Sequence, residues 1–220
     1  MRWLVPLLHA LILLGGCVEI PKSRDSRKTV ARSTAVLTPR PEARMCLSEL
    51  GATQASFTPM PDRYFDTGCS TLNSVRLASL RSDDAMLALS NLGPVTCPMA
   101  NTFAGWARFG VDRAARQVLG SPLVRIETMG SYNCRNVAGT SRRSGHATAN
   151  AIDIAAFVLA DGRRISVLED WRGGGASERQ FLRLVRDSAC KRFGTVLGPD
   201  YNAAHHDHLH LEVKSGAFCR

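Results

Sequence analysis

The chain has 220 residues, 45% apolar and 21% charged, a balance that supports a folded core and excludes a wholly disordered protein. This length suits one globular domain plus a tail. The formal charge of +9 calls for anionic surroundings, and in an exported chain these are a membrane surface or cell-wall carboxylates rather than nucleic acid.

Export is read from residues 1–17, MRWLVPLLHALILLGGC. Arg2 opens the segment, and Leu4 to Leu14 is apolar apart from His9. That run is shorter than the about 20 residues needed to span a bilayer, but it fits the core of a secretory signal. Leu14-Gly15-Gly16-Cys17 resembles a bacterial lipobox, which implies lipidation at Cys17. Val18 in place of an aspartate then favours a periplasmic protein anchored to the outer membrane. Residues 18–44 hold seven Lys/Arg, three Asp/Glu and no aromatic, which reads as a basic flexible tether. The globular domain is expected from Met45 to Arg220.

Seven cysteines become six once Cys17 is set aside: Cys46, Cys69, Cys97, Cys134, Cys190 and Cys219. An even set without any Cys-x-x-Cys reads as a disulfide framework rather than a zinc cluster. Local loop closure favours sequential pairing: 46–69, 97–134 and 190–219.

Within the domain, Pro98 to Leu119 is expected as a helix, with Met99, Phe103, Trp106, Ala114 and Val118 on its apolar face, a kink or break at Gly110, and Gly120 ending it. Leu123–Met129 reads as a strand with Val124, Ile126 and Thr128 on one side. A polar loop follows to about Gly145. Ala149–Leu159 is an apolar run interrupted by Asp153, consistent with a buried strand. Ser177-Glu178-Arg179-Gln180 matches a capping box, followed by an inward stripe of Phe181, Leu184, Val185 and Ala189. His208–Val213 closes the chain as a second strand. Helices beside a mostly antiparallel sheet make an α+β domain.

The chain has six histidines, and once His9 is lost with the signal the other five fall in two short motifs. One is Ser144-Gly145-His146-Ala147-Thr148-Ala149-Asn150-Ala151-Ile152-Asp153. The other is His205-His206-Asp207-His208-Leu209-His210. Strand alternation puts His208, His210 and Glu212 on one face and Leu209, Leu211 and Val213 on the other. A carboxylate at Asp153 is costly in a buried strand unless it is paired or bound to metal. Two histidines and an aspartate around an open position form the donor set of a catalytic zinc.

The spacing His-x6-Asp followed far downstream by His-x-His resembles the zinc D-Ala-D-Ala metallopeptidases, the murein endopeptidases and the lysostaphin-type enzymes. More closely, GSYNCR (130–135), SGHATANAIDIA (144–155), VLGPDYNAAHHDHLHLEV (196–213) and the six cysteines resemble the bacterial extensin-like C-terminal family. The resemblance implies a Hedgehog/DD-peptidase-like fold and a Zn2+ ion held by His146, Asp153 and His210. The murein endopeptidase pattern further implies His208 as base and His205 as its partner. Asp207 stands where the dipeptidase pattern has a glutamate base; its shorter side chain suits orientation rather than proton transfer. Arg135 either corresponds, in a shifted register, to an arginine that stabilises the oxyanion or is a solvated surface charge. His206 receives no role, and Glu212 either supports a ligand or simply leads the strand into solvent.

The expected function is a zinc peptidase acting as a monomer on peptidoglycan crosslinks or stem peptides. Two alternatives stay open: a non-catalytic zinc-containing lipoprotein that binds peptidoglycan, and a D,D-carboxypeptidase.

Overall fold

The structure is a computed structural model that describes residues 40–214 and 216–220. The expected signal segment, Cys17 and the tether up to residue 39 lie outside the described residues. No helix among the described residues is long and apolar enough to cross a membrane.

The domain opens with helix α1 (Pro41–Ala52), so the last four residues of the expected tether are already helical. Strands β1 (Ser56–Pro59), β2 (Arg63–Asp66), β3 (Cys69–Thr71), β4 (Ser74–Arg81), β5 (Met86–Ser90) and β6 (Val95–Thr96) follow. Then come helix α2 (Cys97–Trp106), strand β7 (Leu123–Gly130), strand β8 (Ala151–Leu159) and strand β9 (Arg164–Ser166). The chain ends with the single turn α3 (Val167–Asp170), helix α4 (Ala176–Cys190) and strands β10 (Thr195–Leu197), β11 (Leu209–Glu212) and β12 (Phe218–Cys219).

Ten strands form one mixed sheet in the order β1-β4-β5-β7-β8-β11-β10-β12, with β6 on β4 and β9 on β8. Only β5–β7 and β10–β12 run parallel. Strands β2 and β3 form a separate hairpin. The fold is therefore a large, mostly antiparallel sheet with flanking helices, stapled by three disulfides.

The core lies between the sheet and helices α2 and α4. Trp106, on α2, stacks edge-on against Phe157 of β8 and donates its indole N–H to Val185 O of α4 at 3.2 Å. Phe157 meets Phe181 of α4 at 5.3 Å. The expected helix is present and ends at Gly120, but after Trp106 it winds on as π turns over 107–112 and 115–119. Each wide turn takes an extra residue and advances the inward face. Hence Ala115 and Leu119 are the more deeply buried, while the expected Ala114 and Val118 are half-buried against the same core. Gly110 does not break the helix but lies within the first π turn; a Cβ there would collide with Ser188 of α4, so glycine permits close helix packing.

Three other expectations need correction. Strand β7 carries a bulge at Val124, since Leu123 and Arg125 pair with the adjacent residues Leu159 and Val158. Val124 therefore faces solvent, while Ile126 and Thr128 point inward. Ser177 caps nothing, because α4 begins one residue earlier, after Gly175. Its inward stripe runs through Leu182, whereas Leu184 is exposed.

Of the sequential disulfides only Cys190–Cys219 is present; the other two are Cys46–Cys97 and Cys69–Cys134. Cys46–Cys97 joins the packed helices α1 and α2. Cys69–Cys134 ties the β2–β3 hairpin to the loop before the first histidine motif. Proximity in sequence is a poor guide because doubling a loop costs only about 0.6 kcal/mol of closure entropy. Helix and sheet packing then decides which sulfurs meet.

Candidate functional site

The site is built on the sheet face that points away from the helices. In β8, Ile152 and Ile154 belong to the core, and Asp153 between them faces the opposite way. Further along, a bulge at Ala155 reverses the alternation, which lets Phe157 and Leu159 reach the same core. Antiparallel pairing with β11 sets Leu209 against Ile154, His210 against Asp153, and Leu211 against Ile152. The leucines lock the strand into the core, and the polar pair is left on the outer face.

His146 arrives from a short 3-10 turn, Gly145–Thr148, whose preceding Ser144 caps it by accepting from His146 N. Ala149 ends that turn at φ 55, a left-handed conformation that is unfavourable for a side-chain-bearing residue. Two backbone bonds pin it: Ala149 N donates to His146 O and Thr96 N donates to Ala149 O. The reversal at Ala149 brings the turn carrying His146 back over the strand carrying Asp153.

The three expected ligands meet closely. His146 Nε2 is 3.1 Å from Asp153 Oδ2 and 3.2 Å from His210 Nδ1, and His210 Nδ1 is 2.9 Å from Asp153 Oδ1. All three side chains are buried or nearly so. Zinc bonds of about 2.0–2.2 Å to nitrogen and oxygen set tetrahedral ligand separations of about 3.3 Å, so the group needs only slight expansion to hold such an ion. His146 donates Nδ1–H to the Ser131 carbonyl at 3.1 Å, which aims Nε2 at the group. His210 Nε2 lies 3.6 Å from Glu212 Oε2, on the side away from the group. Gly145 leaves room for that carboxylate, since a Cβ there would stand 2.7 Å from Glu212 Cδ.

Electrostatics reinforce the arrangement. Burial works against ionisation of Asp153, but hydrogen bonds and positive charge from His146 and His210 outweigh it and hold the carboxyl far below its ordinary range. Burial likewise opposes charge on His210, and Asp153 and Glu212 overcome it, raising that imidazole. These attractions keep the three side chains together, and a metal held by them would displace the imidazole protons.

The remaining expected residues surround it. His208 lies just before β11 rather than on it, and its Nδ1–H donates to Asp207 Oδ1 at 2.8 Å. Its Nε2 is 3.6 Å from Asp153 Oδ1. His205 sits in a 3-10 turn (Ala203–His205), with its ring centroid 5.1 Å from that of His208 and 5.9 Å from that of His210. Burial first, then the neighbouring His208 and His210, lowers the His205 pKa to about 4, so the ring is neutral at neutral pH. Arg135 is exposed, donating to Asn136 O at 3.5 Å, and its charge adds to the lowering of His205. His206 turns outward, its Nδ1 bound to Ala203 O at 2.8 Å.

Two contributors were not singled out in the sequence. Ser131 acts through its carbonyl, which leaves no side-chain signature. Asn202 accepts His205 Nδ1–H at 2.7 Å; its position three residues before the histidines at a turn was the available signal.

Neither curated proteins nor solved structures gave a match to the chain. A family model described as "Extensin-like protein C-terminus" matches residues 44–220, which contain both histidine motifs and all six disulfide cysteines. The chain belongs to this extensin-like C-terminal family.

Proposed function

We propose that the chain is a zinc peptidase that hydrolyses peptide bonds in peptidoglycan crosslinks or stem peptides. The observation that carries this reading is the position of His208: Asp207 fixes its Nδ1–H, and its free Nε2 lies 3.6 Å from a metal-ligand carboxylate. An imidazole held in one tautomer beside a metal group has the form of a general base.

His146, Asp153 and His210 would hold the zinc ion, which when bound would supply a Lewis acid for activating water near neutral pH. His208 Nε2 takes a proton from the attacking water and returns it to the departing amine. His205, neutral and tied to Asn202, offers Nε2 as a second acceptor that orients the water. Arg135 provides positive charge at the rim for the developing oxyanion. The same reading includes a Hedgehog/DD-peptidase-like fold, a monomer, and attachment to the outer membrane by lipid on Cys17. Such an anchor places the enzyme in the periplasm, facing its substrate.

The test is digestion of purified sacculi by the zinc-supplemented protein, with released products identified by mass. Soluble peptides are expected from wild type and not from His208→Ala. Zinc-dependent binding to sacculi without any product would overturn the peptidase reading in favour of a binding module, and free D-alanine with intact crosslinks would assign a carboxypeptidase.

A further inference from the structure

A cleft of about 520 Å³ is lined by Trp171, Arg172, Asp200, Tyr201, Asn202 and His206, among others. Its size falls within the range of about 300–1,000 Å³ typical of ligand sites. Two lining residues of the cleft touch His205, which stands beside the metal group. Asn202 lines the cleft and also holds the His205 ring at 2.7 Å. Tyr201 lines it too, with its ring centroid 5.6 Å from that of His205.

One wall is rigid. Trp171 is almost fully buried and donates its indole N–H to Asp200 Oδ1 at 3.0 Å. The Arg183 guanidinium stacks 3.7 Å over the Trp171 ring and donates to Asp200 Oδ2 at 2.7 Å. The single carboxylate of the wall is therefore already engaged on both oxygens. Arg172 is the second cation there; its side chain is 76% exposed and only loosely associated with Asp200, at 3.5 Å. With Trp171 and Arg183 on the two Asp200 oxygens, the charge of Arg172, which lines the cleft and also donates to the Pro199 carbonyl at 3.4 Å, is left to meet an incoming anion. Beside it, Tyr201 and Leu168 supply apolar surface.

We propose that this cleft is a substrate subsite for a peptide carrying a free carboxylate, with Arg172 as the anion partner and Tyr201–Asn202 leading the chain to His205. The assignment builds on the peptidase reading and names the part of the substrate that confers selectivity. It also places His206, which the proposed chemistry does not use, on the cleft wall.

The test uses zinc-loaded protein and two probes: a disaccharide tetrapeptide released from sacculi, and the same compound with its carboxylates amidated. Binding is measured calorimetrically in the His208→Ala background, which keeps the peptide intact; KM and kcat are measured in the active enzyme. The free acid should bind about tenfold tighter than the amide, the value of one charge-assisted contact. Arg172→Ala should erase that preference and raise KM with kcat unchanged, and Arg172→Glu should favour the amide. Equal affinity of wild type for both probes, absence of binding, or a preference that survives Arg172→Ala would overturn the subsite. Selective binding without hydrolysis supports the subsite and removes only the peptidase reading.

Discussion

Asp153 and His210 are direct register partners across the antiparallel pair β8–β11, with Oδ1 and Nδ1 2.9 Å apart. The pairing is fixed from the opposite face, where Leu209 and Leu211 are fully buried beside Ile154 and Ile152. A slip of one residue would bury the polar pair and expose the leucines. Core packing thus sets the geometry of the donor group.

If His208 is the base and Asp207 its support, the two variants separate by size. His208→Ala should reduce kcat by about 10²–10⁴-fold while zinc content stays unchanged. Asp207→Asn, which loses only the carboxylate that fixes the ring, should cost about 10–100-fold. Steady-state kinetics on a released muropeptide, with metal content measured on the same samples, checks both.

His205 should titrate far from ordinary histidine behaviour. Burial, then His208 and His210, favours its neutral form, so its ring resonances should move near pH 4 rather than near the usual value of about 6.5. Histidine-selective NMR reads this directly. A His205 that charges between pH 6 and 7 would contradict the packed cluster around it.

Asp200 links stability to pH. Burial opposes its ionisation, but the Trp171 hydrogen bond and the charges of Arg183, Arg172 and Arg186 prevail, lowering its pKa. A carboxyl lowered on folding stabilises above its unfolded pKa, about 3.9, and loses that contribution as pH falls through the folded value. Asp200→Asn should therefore lower Tm at pH 7, and the gap should close below about pH 4. Thermal melts of both proteins across that range decide it.

Disulfide mapping without reduction should return peptides joining Cys46 to Cys97, Cys69 to Cys134 and Cys190 to Cys219. Replacing Cys46 and Cys97 by serine should cost about 2–5 kcal/mol, because this bridge joins the two packed helices α1 and α2. Chemical denaturation measures the loss.

The donor set was legible in the sequence because histidine and aspartate are chemically distinctive: the five histidines fall in two short motifs, Asp153 interrupts an apolar strand, and the family resemblance names the three residues that meet. What failed were positions where the backbone departs from its period. Val124 sits on a bulge, so counting by two named the wrong side chain; beyond the π turn, counting by 3.6 found the half-buried Ala114 and Val118 but missed the deeper Ala115 and Leu119. Leu184 and the disulfide partners depend on which elements pack together, and local sequence does not encode that. Asn202 and the Ser131 carbonyl support the histidines from a turn and a strand end, and ordinary residue types gave them little prominence.

Metal content measured by mass spectrometry, alongside circular dichroism, tests whether His146, Asp153 and His210 hold one zinc ion. Wild type should carry about one zinc per chain. Asp153→Ala removes a ligand outright and should weaken binding by more than the about 100-fold seen on losing an outer partner, with the fold unchanged. A folded Asp153→Ala protein that keeps its full zinc content would contradict the account.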